Sequence, residues 1–169
     1  ENDALIVTHQ HIRWTYAQLQ TKVNECARAL MAIGLQKGDR IGIWAPNCHE
    51  WLVTQLATAK IGAILVNINP SYRLNELQYA LNQSGCKMLI AAARFKQSDY
   101  TQMLYKLAPE LHTCPAGQLE AKELPKLQAV ISLHNHQVAG MYLWEAMLKH
   151  ADQTHESALA KQQTLLSFD

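Results

Sequence analysis

From Asp39 to Leu133 four short apolar runs, "RIGIWA", "AILVNI", "CKMLIAA" and "LQAVISL", alternate with three helix-like patterns. That order constrains the fold more than any other feature of the chain. The runs are too short for helices and rich in Ile, Leu and Val, as expected of strands buried on both faces. The intervening segments are long enough for helical crossovers, which favour parallel pairing and a right-handed connection. The expectation is an α/β fold: a doubly wound, mostly parallel sheet flanked by helices. Its strands should centre near residues 41–45, 64–68, 87–91 and 129–133.

Local signals mark the helix boundaries. Thr15 and Gln18 in "TYAQ" form a capping box, in which each residue satisfies a free backbone N–H of the other. Behind it Tyr16, Leu19, Val23, Cys26, Leu30 and Ile33 recur every three or four residues up to Gly34. Asn47 and Glu50 read as the cap and third residue of a second helix ending at Gly62. Leu74 to Gln83 reads as a helix stopped by Gly85, and Ser98 as the cap of a helix carrying Tyr100, Met103, Leu104 and Leu107. Before all of these, "ALIVTHQHIRWTY" suggests a hairpin turning at His9 to His11. The pattern places a core at residues 12–133 and a helix-like tail of little core at 141–169.

Composition excludes several classes of function. The chain has 169 residues, 49% of them apolar, and a net charge of +1 without a basic stripe, which argues against nucleic acid. No apolar run is long enough to span a bilayer, so no integral membrane segment is expected. Cys26, Cys48, Cys86 and Cys114 are widely spaced, without a CxxC pair, and read as free thiols in a reducing compartment. "ENDALIV" has no export-signal pattern.

The candidate chemistry is sparse. Cys48 and His49 adjoin the helix corner, but neighbours at a helix start point apart, which removes a Cys–His nucleophile. His9/His11 and His134/His136 have the spacing of two that places imidazoles on one side of an extended segment, yet neither pair has a third ligand nearby. They read as exposed turn histidines. "GLQKGDRIG" has glycines and a lysine but follows a helix and precedes a strand, the reverse of a phosphate loop. No catalytic, cofactor-binding or metal-binding residue is assigned. Tyr72 and Arg73 in "NINPSYR" stand out, because they follow a strand at the edge where open α/β sheets place ligands. They are candidates for a ligand or domain contact.

Residues 14–90, with the phrases "TYAQL", "GDRIGI", "PNCHEW", "GAILVNINPSYR" and "ELQYALNQS", resemble the amino-terminal part of the adenylate-forming (AMP-binding) enzymes, most closely the fatty-acyl-CoA synthetases. The resemblance implies an acid–thiol ligase that uses ATP and Mg2+ to make an acyl-AMP and passes the acyl group to coenzyme A. Its partners would be a medium- or long-chain fatty acid, coenzyme A and the remainder of its own polypeptide. The resemblance also implies a bacterial cytoplasm as the expected location, with the mitochondrial matrix as the alternative. The family's phosphate loop follows the point where "LLSFD" stops, so residues 1–169 are expected to be a partial domain, inactive alone and without bound cofactor, with self-association a further expectation. Another carboxylate-adenylating enzyme and a non-catalytic protein-interaction domain are the alternatives.

Overall fold

The structure, a computed structural model, describes residues 2–167. A hairpin of β1 (Asp3–Val7) and β2 (Ile12–Thr15) is followed by α1 (Tyr16–Ala32), β3 (Arg40–Trp44), α2 (His49–Ile61), β4 (Ile64–Asn67) and α3 (Leu74–Ser84). Then come β5 (Met88–Ala91), a short ribbon of β6 (Arg94–Phe95) and β7 (Ser98–Asp99), α4 (Tyr100–Leu107) and β8 (Ala129–Ser132). The chain continues through β9 (Tyr142–Leu143), α5 (Trp144–Leu148) and α6 (Glu156–Thr164). It divides into two compact units. One holds residues 2–38, 47–64 and 148–167, and the other residues 39–46 and 65–147.

The main sheet has the order β4-β3-β5-β8-β9, and β3–β5, β5–β8 and β8–β9 are parallel. This is the expected α/β fold with a mostly parallel sheet flanked by helices, and the four core strands lie within about a residue of their predicted positions. In the second unit, Leu77 and Leu81 of α3 and Tyr100, Leu104 and Leu107 of α4 cover Trp44, Leu89, Ala91 and Val130. The alternate residues Ile41, Ile43, Ile90 and Ile131 are buried as well, so both faces of the central strands are covered. Such burial is what a continuous apolar run encodes.

Several boundaries differ from the sequence reading. β4 lies at the sheet's edge, with Ile64 45% exposed, so "AILVNI" is not covered on both sides. Tyr142–Leu143 is a fifth strand rather than the start of a helix: two residues are too few to show a period. Trp144, Met147, Ala151 and Leu159 are buried in the tail. The cap of α4 is Asp99, whose Oδ1 accepts from the Gln102 amide at 2.9 Å, while Ser98 belongs to β7.

In the first unit the Thr15–Gln18 capping box is present in both directions, at 2.9 and 3.3 Å. The expected Asn47 cap of α2 is not. Cys48 is the N-cap residue and makes no side-chain cap bond. Gln10, in the turn between β1 and β2, takes over: its Oε1 accepts from the His49 amide at 2.7 Å and its Nε2 donates to Glu50 Oε2 at 3.0 Å. One orphan donor at the helix start is thus satisfied from 39 residues away, and no local pattern could show it.

Candidate functional site

The carboxyl ends of the parallel strands in the second unit carry its most elaborate polar structure. Asn69 and Pro70 close the turn after β4. The Asn69 carbonyl accepts from the indole Nε1 of Trp44 at 3.2 Å and from the Tyr72 amide at 3.0 Å. The Asn69 side chain accepts from the Ser71 amide at 2.9 Å, and the Pro70 carbonyl accepts the phenol of Tyr100. Two buried rings therefore fix the consecutive carbonyls of Asn69 and Pro70, and the Asn69 side chain fixes the Ser71 amide. Burial pushes the Tyr100 phenol up to about 12, so it stays a donor at any physiological pH.

Tyr72 and Arg73 follow directly. Arg73 is the N-cap residue of α3; its amide donates to Glu76 Oε2 at 3.1 Å and its Nη1 to Ser98 Oγ at 2.9 Å. Tyr72 is half-buried against the core. The two side chains do not converge: Tyr72 lines a cavity of about 520 Å³ along α3 with Tyr79 and Ser84, and Arg73 one of about 480 Å³ with Met103 and Lys106. Ser98 was missed as a partner of Arg73 because it lies 25 residues away.

His134 follows β8 on the same edge and is not an exposed turn residue. Its Nε2 lies 2.7 Å from the Thr101 hydroxyl, and its amide donates to Ser132 Oγ at 3.2 Å. The His136 ring packs edge-on at 4.7 Å. Burial and the neighbouring His136 hold His134 below the usual imidazole range, against an opposing pull from Asp99. A nucleophilic hydroxyl would need a carboxylate orienting that imidazole. Asp99, the nearest candidate, is already held by the Gln102 amide. The arrangement ties α4 to the loop after β8.

His49 stands at the corner of α2 in the first unit, with Nδ1 3.1 Å from Glu50 Oε2 and its ring edge-on to Trp14 at 5.1 Å. Cys48 is free, and burial together with the Glu50 carboxylate pushes its thiol up to about 12. A protonated thiol is a poor nucleophile. Cys26, Cys86 and Cys114 are free as well.

The segment "GLQKGDRIG" forms no phosphate loop. Gly34 and Gly38 have positive φ, but they join α1 to β3, and the Gly38 amide donates to the Gly62 carbonyl at 2.8 Å instead of facing a ligand. A phosphate cradle needs several such amides pointing at one site. Among the described residues no group of three or more His, Cys, Asp or Glu side chains could hold a metal ion. No helix among them is long and apolar enough to cross a membrane.

Comparison with known proteins settles the family: the AMP-binding enzyme profile matches residues 1–164. The chain belongs to the AMP-binding enzyme family. The mitochondrial medium-chain acyl-CoA ligase ACSF2 of Bos taurus is 40% identical over 167 residues, 99% of this chain and 27% of that protein. Its counterpart in Danio rerio is 35% identical over the whole chain and 28% of its own length. The chain thus spans little more than a quarter of these relatives. Among solved structures, acetoacetyl-CoA synthetase from Streptomyces lividans superposes with a TM-score of 0.67 at 26% identity, over 83% of this chain and 21% of that one. The anthranilate CoA ligase AuaEII, in complex with anthranoyl-AMP, gives a TM-score of 0.68 at 19% identity, over 92% of this chain and 26% of its own, and so shares the fold. The expected bacterial cytoplasmic location is overturned, because these named medium-chain ligases are mitochondrial proteins of animals. A cysteine pattern reports a reducing compartment and cannot tell one such compartment from another.

Proposed function

We propose that these residues are the leading part of an ATP-dependent ligase that activates a medium- or long-chain fatty acid as acyl-AMP, releases pyrophosphate, and transfers the acyl group to the thiol of coenzyme A. The observation that carries this reading is 40% identity with a medium-chain acyl-CoA ligase over 99% of the chain. ATP, Mg2+ and coenzyme A are the cofactors and co-substrate of the whole enzyme, and they supply the activation and the acceptor thiol. Residues 2–167 supply no step of that chemistry; they build the sheet on which it rests. Within them Tyr72 and Arg73 present a contact surface to a ligand or to the adjoining part of the polypeptide. The turn before them is held at the Asn69 and Pro70 carbonyls by Trp44 and Tyr100, and Ser98 accepts from one arm of the guanidinium.

The test is acyl-CoA formation by the full-length polypeptide that carries this sequence, across saturated acids of six to eighteen carbons and a set of aryl and amino acids. ATP-dependent thioester formation with a maximum among the fatty acids is expected. A preference for aryl or amino acids would replace the fatty-acid assignment with another adenylating activity, and no adenylation of any carboxylate would refute the ligase reading.

A further inference from the structure

The first unit carries an apolar groove that the ligase reading does not use. It runs between α1 and α2 beside the end of α6 and encloses about 590 Å³. Tyr16 and Leu19 form one wall, Leu56 the other and Leu166 the end. Its polar side chains include Lys60 and Gln163, and no acidic residue is among the described residues that line it. Hydrogen bonds hold the flanking elements: the Thr15–Gln18 box sets the start of α1, Gln162 Nε2 donates to the Ile61 carbonyl at 3.0 Å, and Lys37 Nζ donates to the Leu165 carbonyl at 2.9 Å.

Exposure here runs against composition. Tyr16 is 68% and Leu56 38% exposed, so two of the large exposed hydrophobic side chains of the described residues line one groove. Concentrated apolar surface of that kind marks an interaction site more often than scattered single residues do. A volume of this size lies within the roughly 300–1,000 Å³ usual for small-molecule sites.

We propose that this groove binds the aliphatic chain of a medium-chain carboxylate, with Lys60 meeting the carboxylate. The charge pattern argues for that occupant: an apolar trough with one cation and no acidic side chain among its described lining residues complements an amphipathic anion. Lys60 sits in the last turn of α2 and makes no ion pair among the described residues. A long side chain of this kind lays its stem along apolar surface and keeps its ammonium in water, where a carboxylate head would lie. The choice of a fatty acid rests on the ligase reading for the acid the enzyme meets. The groove chemistry stands without it, and this would be an accessory site for the substrate class rather than a place of reaction.

Calorimetry on the 169-residue chain, without ATP or coenzyme A, tests the site separately from acyl-CoA formation. Octanoate, decanoate and dodecanoate should bind one to one, each added methylene tightening affinity about two- to fourfold. Lys60→Met should weaken decanoate about tenfold and leave decanol unchanged, since only the charged head is lost. Leu56→Lys should abolish both, with near-UV circular dichroism confirming an unaltered fold at this exposed position. Absence of saturable binding, or binding indifferent to both substitutions, overturns the proposal. So does a concentration-dependent dimer that Leu56→Lys dissolves and decanoate does not, because the groove would then be an interface between copies.

Discussion

Trp44 and Tyr100 stack in the core of the second unit with ring centroids 3.4 Å apart and planes 6° from parallel, and each donates its one polar hydrogen to the turn after β4. Buried aromatic groups need such partners, and the turn carbonyls need such donors. The pair converts a Pro-containing loop into a fixed support for Tyr72 and Arg73. Tyr100→Phe keeps the stacking and loses the bond to Pro70, so chemical denaturation should show a loss of about 0.5–1.5 kcal/mol. Tyr100→Ala leaves a cavity and should lose about 3–5 kcal/mol.

The same phenol gives a pH signature. Burial raises it from the ordinary 10 to about 12, so the folded state favours the protonated form. Its contribution to stability is fully present below pH 10 and is lost as pH rises through about 12. Unfolding midpoints of the parent and of Tyr100→Phe, measured from pH 8 to 12, should converge above pH 10. A constant gap across that range would contradict the assignment.

The Gln10 bridge predicts a long-range cap. Gln10→Ala removes the acceptor of the His49 amide and the donor to Glu50 together, and should destabilise the chain by about 1–2 kcal/mol. Amide exchange should rise at His49 and through β1 and β2, with α3 and β5 unaffected beyond the global change. Asn47→Ala, at the position the local pattern nominates, should change stability by less than about 0.5 kcal/mol.

What the sequence made legible follows the range of the interactions. Four core strands and the Thr15 and Gly85 boundaries rest on neighbouring residues, and a reader of the chain can see them. The α2 cap, the Arg73–Ser98 bond and the Thr101–His134 bond join residues 25 to 39 apart, and nothing in the local pattern marks them. β9 is two residues long and takes its identity from β8. The turn "NINPSYR" was visible as a candidate contact, but the two rings beneath it were not, because Trp44 and Tyr100 each looked like ordinary core residues of separate elements.

Two glycines of similar φ should respond differently to alanine. Gly85, at φ 67, has open space around the position a Cβ would take, so Gly85→Ala should cost only the left-handed strain of about 1 kcal/mol. Gly140, at φ 71, has the Leu111 carbonyl there, and backbone cannot yield as a side-chain tip can. Gly140→Ala should therefore cost more than about 3 kcal/mol or prevent folding. Equal midpoints for the two variants would show that the loop after β8 is not packed against Leu111.

The last prediction concerns nucleotide. Adenylate formation requires a cluster of backbone amides or cations around three phosphates, and the amides of Gly38 and Gly85 are committed elsewhere, to Gly62 and to Leu81 and Asn82. Arg73 is the one cation on the ligand edge shown holding a neutral partner, and its Ser98 contact leaves only part of the guanidinium for an anion. A single arginine at an open surface adds an ion pair of about 1 kcal/mol or less, far short of micromolar affinity. Calorimetry of the 169-residue chain with ATP and Mg2+ should therefore show no saturable heat at millimolar ligand, even where decanoate binds. A one-to-one isotherm in the micromolar range, weakened by Arg73→Ala, would place a nucleotide site at the turn after β4 and move Arg73 from a contact surface to a phosphate ligand.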